Sequence, residues 1–279
     1  MQIFLVNSST NQLIGACNYE GLLIHYLPQR CHLSPSGEAM VRLLAAHGVR
    51  LDFPPIQTCC GQPSYNSGYW DETRVAAKTI LEAFDDSDFV VCPSGSCTYM
   101  IHHYPELFAD EPVWLEKAKR LEAKAYEFTQ FLVQVLGITD LGAHFPHKVT
   151  YHPSCHGSRL LGVKDEPMAL LSQVKGLELV PLPFAEDCCG FGGTFAIKMS
   201  DISGAMVTEK VDHVKETQAE VLVGLDMACL MNIAGNLRYR NEPVRVMHLA
   251  ELLYEGCKQD EPTGSYGYYG QRTCRTGLE

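Results

Sequence analysis

Two vicinal cysteine pairs, each followed by glycine, stand 129 residues apart in this 279-residue chain: Cys59-Cys60-Gly61 and Cys188-Cys189-Gly190. Neighbouring side chains reach the geometry of a disulfide only with difficulty. They suit a single zinc poorly as well, because a tetrahedral site takes its ligands from separated directions. A multi-iron cluster is different, since adjacent thiolates can each take a neighbouring iron. The chemistry that fits the pairs is thiolate ligation of iron, and its occurring twice is the chain's strongest functional statement.

Around the second pair the set is complete. Cys155 follows the strand-like run Lys148–Ser154, 32 residues separate it from Cys188, and 39 lie between Cys189 and Cys229. Three of the positions fall at or just after the ends of candidate strands, where α/β sheets assemble their sites. Gly190, Gly192 and Gly193 allow backbone to pack closely around a bulky cofactor and to aim N–H groups at its sulfurs. Around the first pair, 36 residues lie between Cys60 and Cys97, in keeping with the second half. The counterpart of Cys155 is open there. Equal spacing falls on Tyr26 and Leu27, Cys31 is four residues out of step, and Cys17, Cys92 or no cysteine at all are the other choices.

The elements that must position these thiols alternate between strand-like and helix-like runs. Candidate strands are Ile3–Val6, Val49–Phe53, Phe89–Cys92, Lys148–Tyr151, Leu177–Leu182, Val221–Gly224 and Val244–Met247. Candidate helices are Glu38–His47, Asp71–Phe84, Ala118–Leu136, Ser203–Thr217 and Leu249–Glu255. Such alternation predicts an α/β fold with mainly parallel sheets flanked by helices. The order of cysteine pair, helix, strand and single cysteine also repeats, so the chain reads as two tandem lobes. The first covers residues 1–140, with an irregular stretch at 7–37; the second covers 141–257; a Gly- and Tyr-rich tail at 258–279, carrying Cys274, is expected to be disordered.

Composition narrows the class. Apolar residues make up 46% of the chain and twelve cysteines exceed what packing needs. The N-terminus has no basic run before its short apolar stretch, and no segment approaches the roughly 18 apolar residues of a membrane span. The expected compartment is the reducing cytoplasm, where clustered cysteines read as metal or redox sites rather than staples. A net charge of −11 argues against nucleic acid as a partner.

The strings TCCGQPSYNSGYWDE, PSGSCTYMIHHYPELFADEP, YHPSCHGSRLLGVKDEP and DCCGFGGTFAIKMSDISGAMVTEKV, followed by MACLMNIAGNL and VMHLAELL, resemble the cysteine-rich CCG family. That family includes the heterodisulfide reductase B subunit and the anaerobic glycerol-3-phosphate dehydrogenase C subunit. The match is stronger to the lactate-utilisation protein A branch of bacterial iron–sulfur oxidoreductases, and it covers about residues 38 to 255. The resemblance implies one or two iron–sulfur clusters of the [4Fe–4S] type. It also implies electron transfer within a complex that oxidises L-lactate to pyruvate, alongside other iron–sulfur subunits. The ligands carried over by it are Cys59, Cys60 and Cys97 in the first half and Cys155, Cys188, Cys189 and Cys229 in the second. Where other members end each motif with CxxC, this chain has Ser94 and Asp226 in place of the first cysteine, which departs from a five-thiolate site. Residues 7–37 also depart from the family's beginning.

Other residues weigh against blander readings. His102, His103, His152, His156 and His213 could carry protons or bind metal, with His156 beside Cys155 the most suggestive, but a lone histidine is more often a hydrogen-bonded structural residue. Arg159, Lys164 and Lys175 could dock an acidic partner, or be solvated surface. Gly190-Phe191-Gly192-Gly193 lacks the order of a dinucleotide loop. With no flavin or dinucleotide fingerprint and no acid–base pair, the chain reads as an oxidoreductase subunit that relays electrons and needs partners. The rival classes are a zinc-binding or thiol-redox module and a heterodisulfide-reductase-like subunit.

Overall fold

Short β-branched runs separated by helices fold as two four-stranded sheets in the computed structural model, which describes residues 4–6 and 34–258. The first sheet contains β1 (Phe4–Val6), β2 (Leu51–Asp52), β3 (Phe89–Cys92) and β4 (Ala125–Glu127), in the order β2-β1-β3-β4. The second contains β5 (Lys148–His152), β6 (Glu178–Val180), β7 (Val221–Gly224) and β8 (Arg245–His248), in the order β6-β5-β7-β8 with every pair parallel. The apolar run Val221-Leu222-Val223-Gly224 is buried throughout, as expected of a central strand covered on both faces. Its register sets Gly224 beside both His152 and His248, so the carboxyl ends of β5, β7 and β8 are level. Cys17, Cys31, Cys274 and the tail from Glu261 lie outside the described residues.

The α/β expectation holds, with one difference in direction. β3 and β4 are parallel, but β1 runs antiparallel to both β2 and β3. The expected helix Ala118–Leu136 is broken: a helix ends at Glu122, β4 intervenes, and helical structure resumes over Phe128–Val135. Hydrogen bonding to β3 overrides local preference here, with Val90 beside Ala125 and Cys92 beside Glu127. Glu127 also starts the new helix, its carboxylate accepting from the N–H of Thr129 at 2.7 Å.

Packing ties the halves together. One apolar core runs from Met40, Leu44 and Phe131 to Val149, Val221, Leu249 and Leu253, with the helices Pro35–Ala46 and Leu249–Lys258 against each other. Separate cores lie under the outer helices of each half, around Ile80, Phe84 and Tyr104, and around Val211, Leu222 and Ile233.

A buried histidine crosses between the halves. His248 donates from Nε2 to the Pro93 carbonyl at 3.0 Å and accepts at Nδ1 from the Ala250 N–H at 3.1 Å. The second bond needs the neutral ring, and burial pulls its pKa down to about 4 against the Leu225 and Pro93 carbonyls and Asp226. As pH falls below about 6.5, the unfolded chain takes up a proton that the folded chain refuses, so stability falls until about pH 4. The shift corresponds to on the order of 3 kcal/mol. Glu127 has the opposite sign, since burial raises its carboxyl to about 7 and its contribution declines as pH rises from about 4.5. The difference between wild type and His248→Asn therefore isolates the histidine. Urea midpoints measured from pH 7.5 down to 4.5 are expected to show the wild type losing its advantage steadily; a constant gap would refute this.

Candidate metal centre

Each cysteine pair sits in a turn that a glycine makes possible. Gly61 and Gly190 adopt φ of +87° and +80°, in the left-handed region that side chains resist. The turns are also tightly backed. A Cβ on Gly61 would lie 2.9 Å from Thr73 Cγ2, and one on Gly190 would lie 2.6 Å from the Ser203 carbonyl. Thr73 and Ser203 occupy matching places in the first turns of the helices Trp70–Ala83 and Ser200–Glu216. Gly190→Ala is expected to cost about 2–3 kcal/mol, from strain at positive φ and displacement of the helix. Gly235→Ala is the control, because that helical glycine has nothing within 4 Å of its Cβ position and alanine favours the helix. Thermal melts of the two variants check the contrast; equal melting would refute it.

The turns aim backbone N–H groups at the sulfurs. Gly61 and Gln62 serve Cys59 and Cys60, while Gly190 and Phe191 serve Cys188 and Cys189, with Gly190 N at 3.4 Å from the Cys188 sulfur. The carbonyl of each pair's second cysteine is pinned by a side chain. The Tyr104 hydroxyl donates to Cys60 O at 2.8 Å, and the Asn232 amide donates to Cys189 O at 2.8 Å. Tyr104 and Asn232 lie 44 and 43 residues after the cysteines they hold, and the two carbonyls they hold are equivalent in the two halves.

Single cysteines come to these turns from helix starts. Cys97 is the third residue of the helix Gly95–His102 that follows β3, and Cys229 is the third of Met227–Tyr239 after β7. Cys155 caps the helical turn His156–Leu160 after β5. In the second half the thiols neighbour one another in the order Cys155, Cys188, Cys189 and Cys229. In the first half the order is Cys59, Cys60 and Cys97. All seven thiols named from the sequence are thus gathered into two groups. Cys92 is fully buried at the end of β3 with Thr98 as its hydrogen-bond partner, and the described residues bring no fourth thiol into the first group. Cys257 belongs to neither group; it donates to the Leu141 carbonyl at 3.3 Å.

Electrostatics favour binding a cation at the second group. Donation from the Cys155 and Cys189 thiols and the Gly190 N–H draws the Cys188 pKa strongly down. Cys155 is pushed up by serving as donor to Cys188 and by burial. Cys189 is pushed up in the same way, between Cys188 and Cys229. Crowded thiols of this kind cannot all ionise unless a metal supplies positive charge. Lys210 adds a buried cation nearby: only 1% exposed, it donates to the Phe184 and Ala185 carbonyls at 2.7 and 3.2 Å and so holds the loop leading into Cys188. The donor set, the glycine cradle and the directed N–H groups fit a thiolate-bound iron–sulfur group.

The two groups lie on either side of one junction. Asp226 accepts from the Ser94 hydroxyl at 2.7 Å and the Ser96 N–H at 3.1 Å, and it also caps its own helix through Ala228 N at 3.1 Å. Gly95 and Gly157 meet so closely that a Cβ on Gly95 would be 2.7 Å from Gly157 Cα. Ser67 bonds to Thr194, and the Tyr99 and His156 rings lie 5.5 Å apart. Among the candidate histidines, His102 and His103 are structural, bonded to the Ala125 carbonyl and the Tyr65 hydroxyl at 2.8 and 2.6 Å. His213 stacks on Phe184 at 4.7 Å, and Lys164 pairs with Glu186 at 3.7 Å.

Two matched turns, each gathering thiols behind a parallel-strand edge, define a duplicated cysteine-rich protein. The chain matches the family model for the CCG cysteine-rich domain over residues 25–102 and again over 149–234. It belongs to the CCG cysteine-rich family. The first match takes in Cys31 and part of the stretch that reads as irregular in sequence. Lactate utilization protein A of Geobacillus thermodenitrificans is 56% identical over 217 residues, covering 78% of this chain and 91% of the relative. The protein of that name from Exiguobacterium is 54% identical over 230 residues, 81% and 94% of the two chains. Lactate utilization protein A 2 of Bacillus cereus is 52% identical over 221 residues, 79% and 91%. No helix among the described residues is long and apolar enough to cross a membrane.

Proposed function

We propose that this chain is an iron–sulfur electron-transfer subunit of a cytoplasmic complex that oxidises L-lactate to pyruvate. Cys155, Cys188, Cys189 and Cys229 hold one cluster of the [4Fe–4S] type, and Cys59, Cys60 and Cys97 take part in a second. The observation that carries this reading is the convergence of four thiols on the Cys188-Cys189-Gly190 turn. The lactate assignment is supported by what the relatives are named.

When bound, such a cluster supplies one-electron chemistry at a potential set by burial and by hydrogen bonds to its sulfurs. The chain's own part is to orient and tune. Gly190 and Phe191 direct N–H groups at Cys188 and Cys189, and Lys210 sets a positive charge behind the loop, both of which favour the more negative, reduced state. Lactate gives up two electrons and two protons, so the relay passes two electrons per turnover to partner subunits.

Anaerobic purification followed by iron, acid-labile sulfide and EPR measurement tests the reading. About eight irons per chain would mean that both groups are competent, and about four that the second group alone is loaded. Zinc without iron would overturn electron transfer.

A further inference from the structure

His152 ends β5 and shares its buried face with Thr150, while Tyr151 between them points to the other side. It is 1% exposed, and neither ring nitrogen has a hydrogen-bond partner among the described residues. Buried imidazoles are normally satisfied. His248, equally buried on the same sheet, uses both nitrogens. What His152 does face is sulfur: one ring nitrogen and the sulfurs of Cys189 and Cys229 all lie within 4.8 Å of one another. His156, which adjoins Cys155 in sequence, has its Nδ1 at 3.5 Å from that sulfur and is only partly buried.

Building on the proposed cluster, we infer that His152 is a nitrogen ligand of the metal at the second group, making a mixed imidazole–thiolate set with Cys189 and Cys229. Coordination explains why a ring so deeply buried is left without protein partners.

The test uses the full chain with 15N-labelled histidine, loaded anaerobically with iron and sulfide, reduced and studied by pulsed EPR. A strong 15N coupling is expected, lost in His152→Ala and kept in His156→Ala. Weak coupling of the kind a hydrogen-bonded ring gives, or none, in the unmutated chain would overturn the assignment whatever the variants do, and so would loss of the coupling in a His156→Ala chain that still takes up iron. If the chain takes up no iron, the electron-transfer reading fails and cobalt(II) added to the anaerobic chain still asks the same question. X-ray absorption showing nitrogen among the cobalt donors, and its loss in His152→Ala, would uphold the ligand; an all-sulfur shell would sink it.

Discussion

Cys189→Ser is expected to strip the second group of iron, lowering the content by about four per chain, while any iron held at the first group stays. Cys189 is the buried member of its pair and stands between Cys188 and Cys229 in the thiol chain, with the Phe191 N–H turned toward it. A serine hydroxyl is a poor ligand for iron, and the substitution removes the thiol that stands between Cys188 and Cys229. Metal binding is coupled to folding, because ligands gathered from β5, β7 and the glycine turn are held by one group. The loaded variant should therefore also melt earlier than the loaded wild type, and the two should converge after chelation. Cys257→Ser is the control, its thiol being engaged with Leu141. Iron, sulfide and EPR measured side by side check the result. Undiminished iron in Cys189→Ser would show that the second group is not where metal binds.

The gathering of the seven thiols was legible in the sequence because covalent spacing repeated: a pair, a helix, a strand and a single cysteine, twice over. What spacing cannot carry is direction. Tyr104 and Asn232 hold equivalent carbonyls at offsets of 44 and 43 residues, but their residue types differ, and similarity of sequence gives no hint of the shared task. The helices that present Cys97 and Cys229 are similarly hidden, since both begin just after a strand with few charged residues to mark a face. β4 was concealed for the opposite reason: its three residues continue the periodicity of the helix before them, and only pairing with β3 gives them another use. Among the histidines, adjacency to Cys155 pointed to His156, whereas alternation along β5 turns His152 inward beside Cys189 and Cys229. A contact across strands outweighed a neighbour along the chain.

Asp226→Ala is expected to destabilise the fold by about 4 kcal/mol and to loosen both thiol groups together. The carboxylate is 3% exposed and takes three donors, the Ser94 hydroxyl and the N–H groups of Ser96 and Ala228. Hydrogen bonds to a charged group contribute about 1.5–3 kcal/mol each, and a buried N–H left without an acceptor adds its own cost. Part of the loss is a helix cap, ordinarily about 1 kcal/mol. Ser94→Ala removes only one of the three donors and should cost about 1.5–3 kcal/mol, less than loss of the carboxylate that all three share. Position matters as much as energy. Asp226 fixes the first turn of the helix bearing Cys229, and through Ser96 it fixes the residue next to Cys97 in the other half. Ser94 and Asp226 are the two places where a CxxC ending would put a further cysteine, and here they bond to each other across the junction instead of adding a ligand to either side. If the duplicated sites hold iron, Asp226→Ala should lower occupancy at both, unlike Cys189→Ser, which acts on one. Chemical denaturation gives the energy, and EPR of the two centres gives the occupancy. Loss confined to the second centre would mean that Asp226 serves only as the cap of its own helix and that the link to Ser94 and Ser96 carries no coupling.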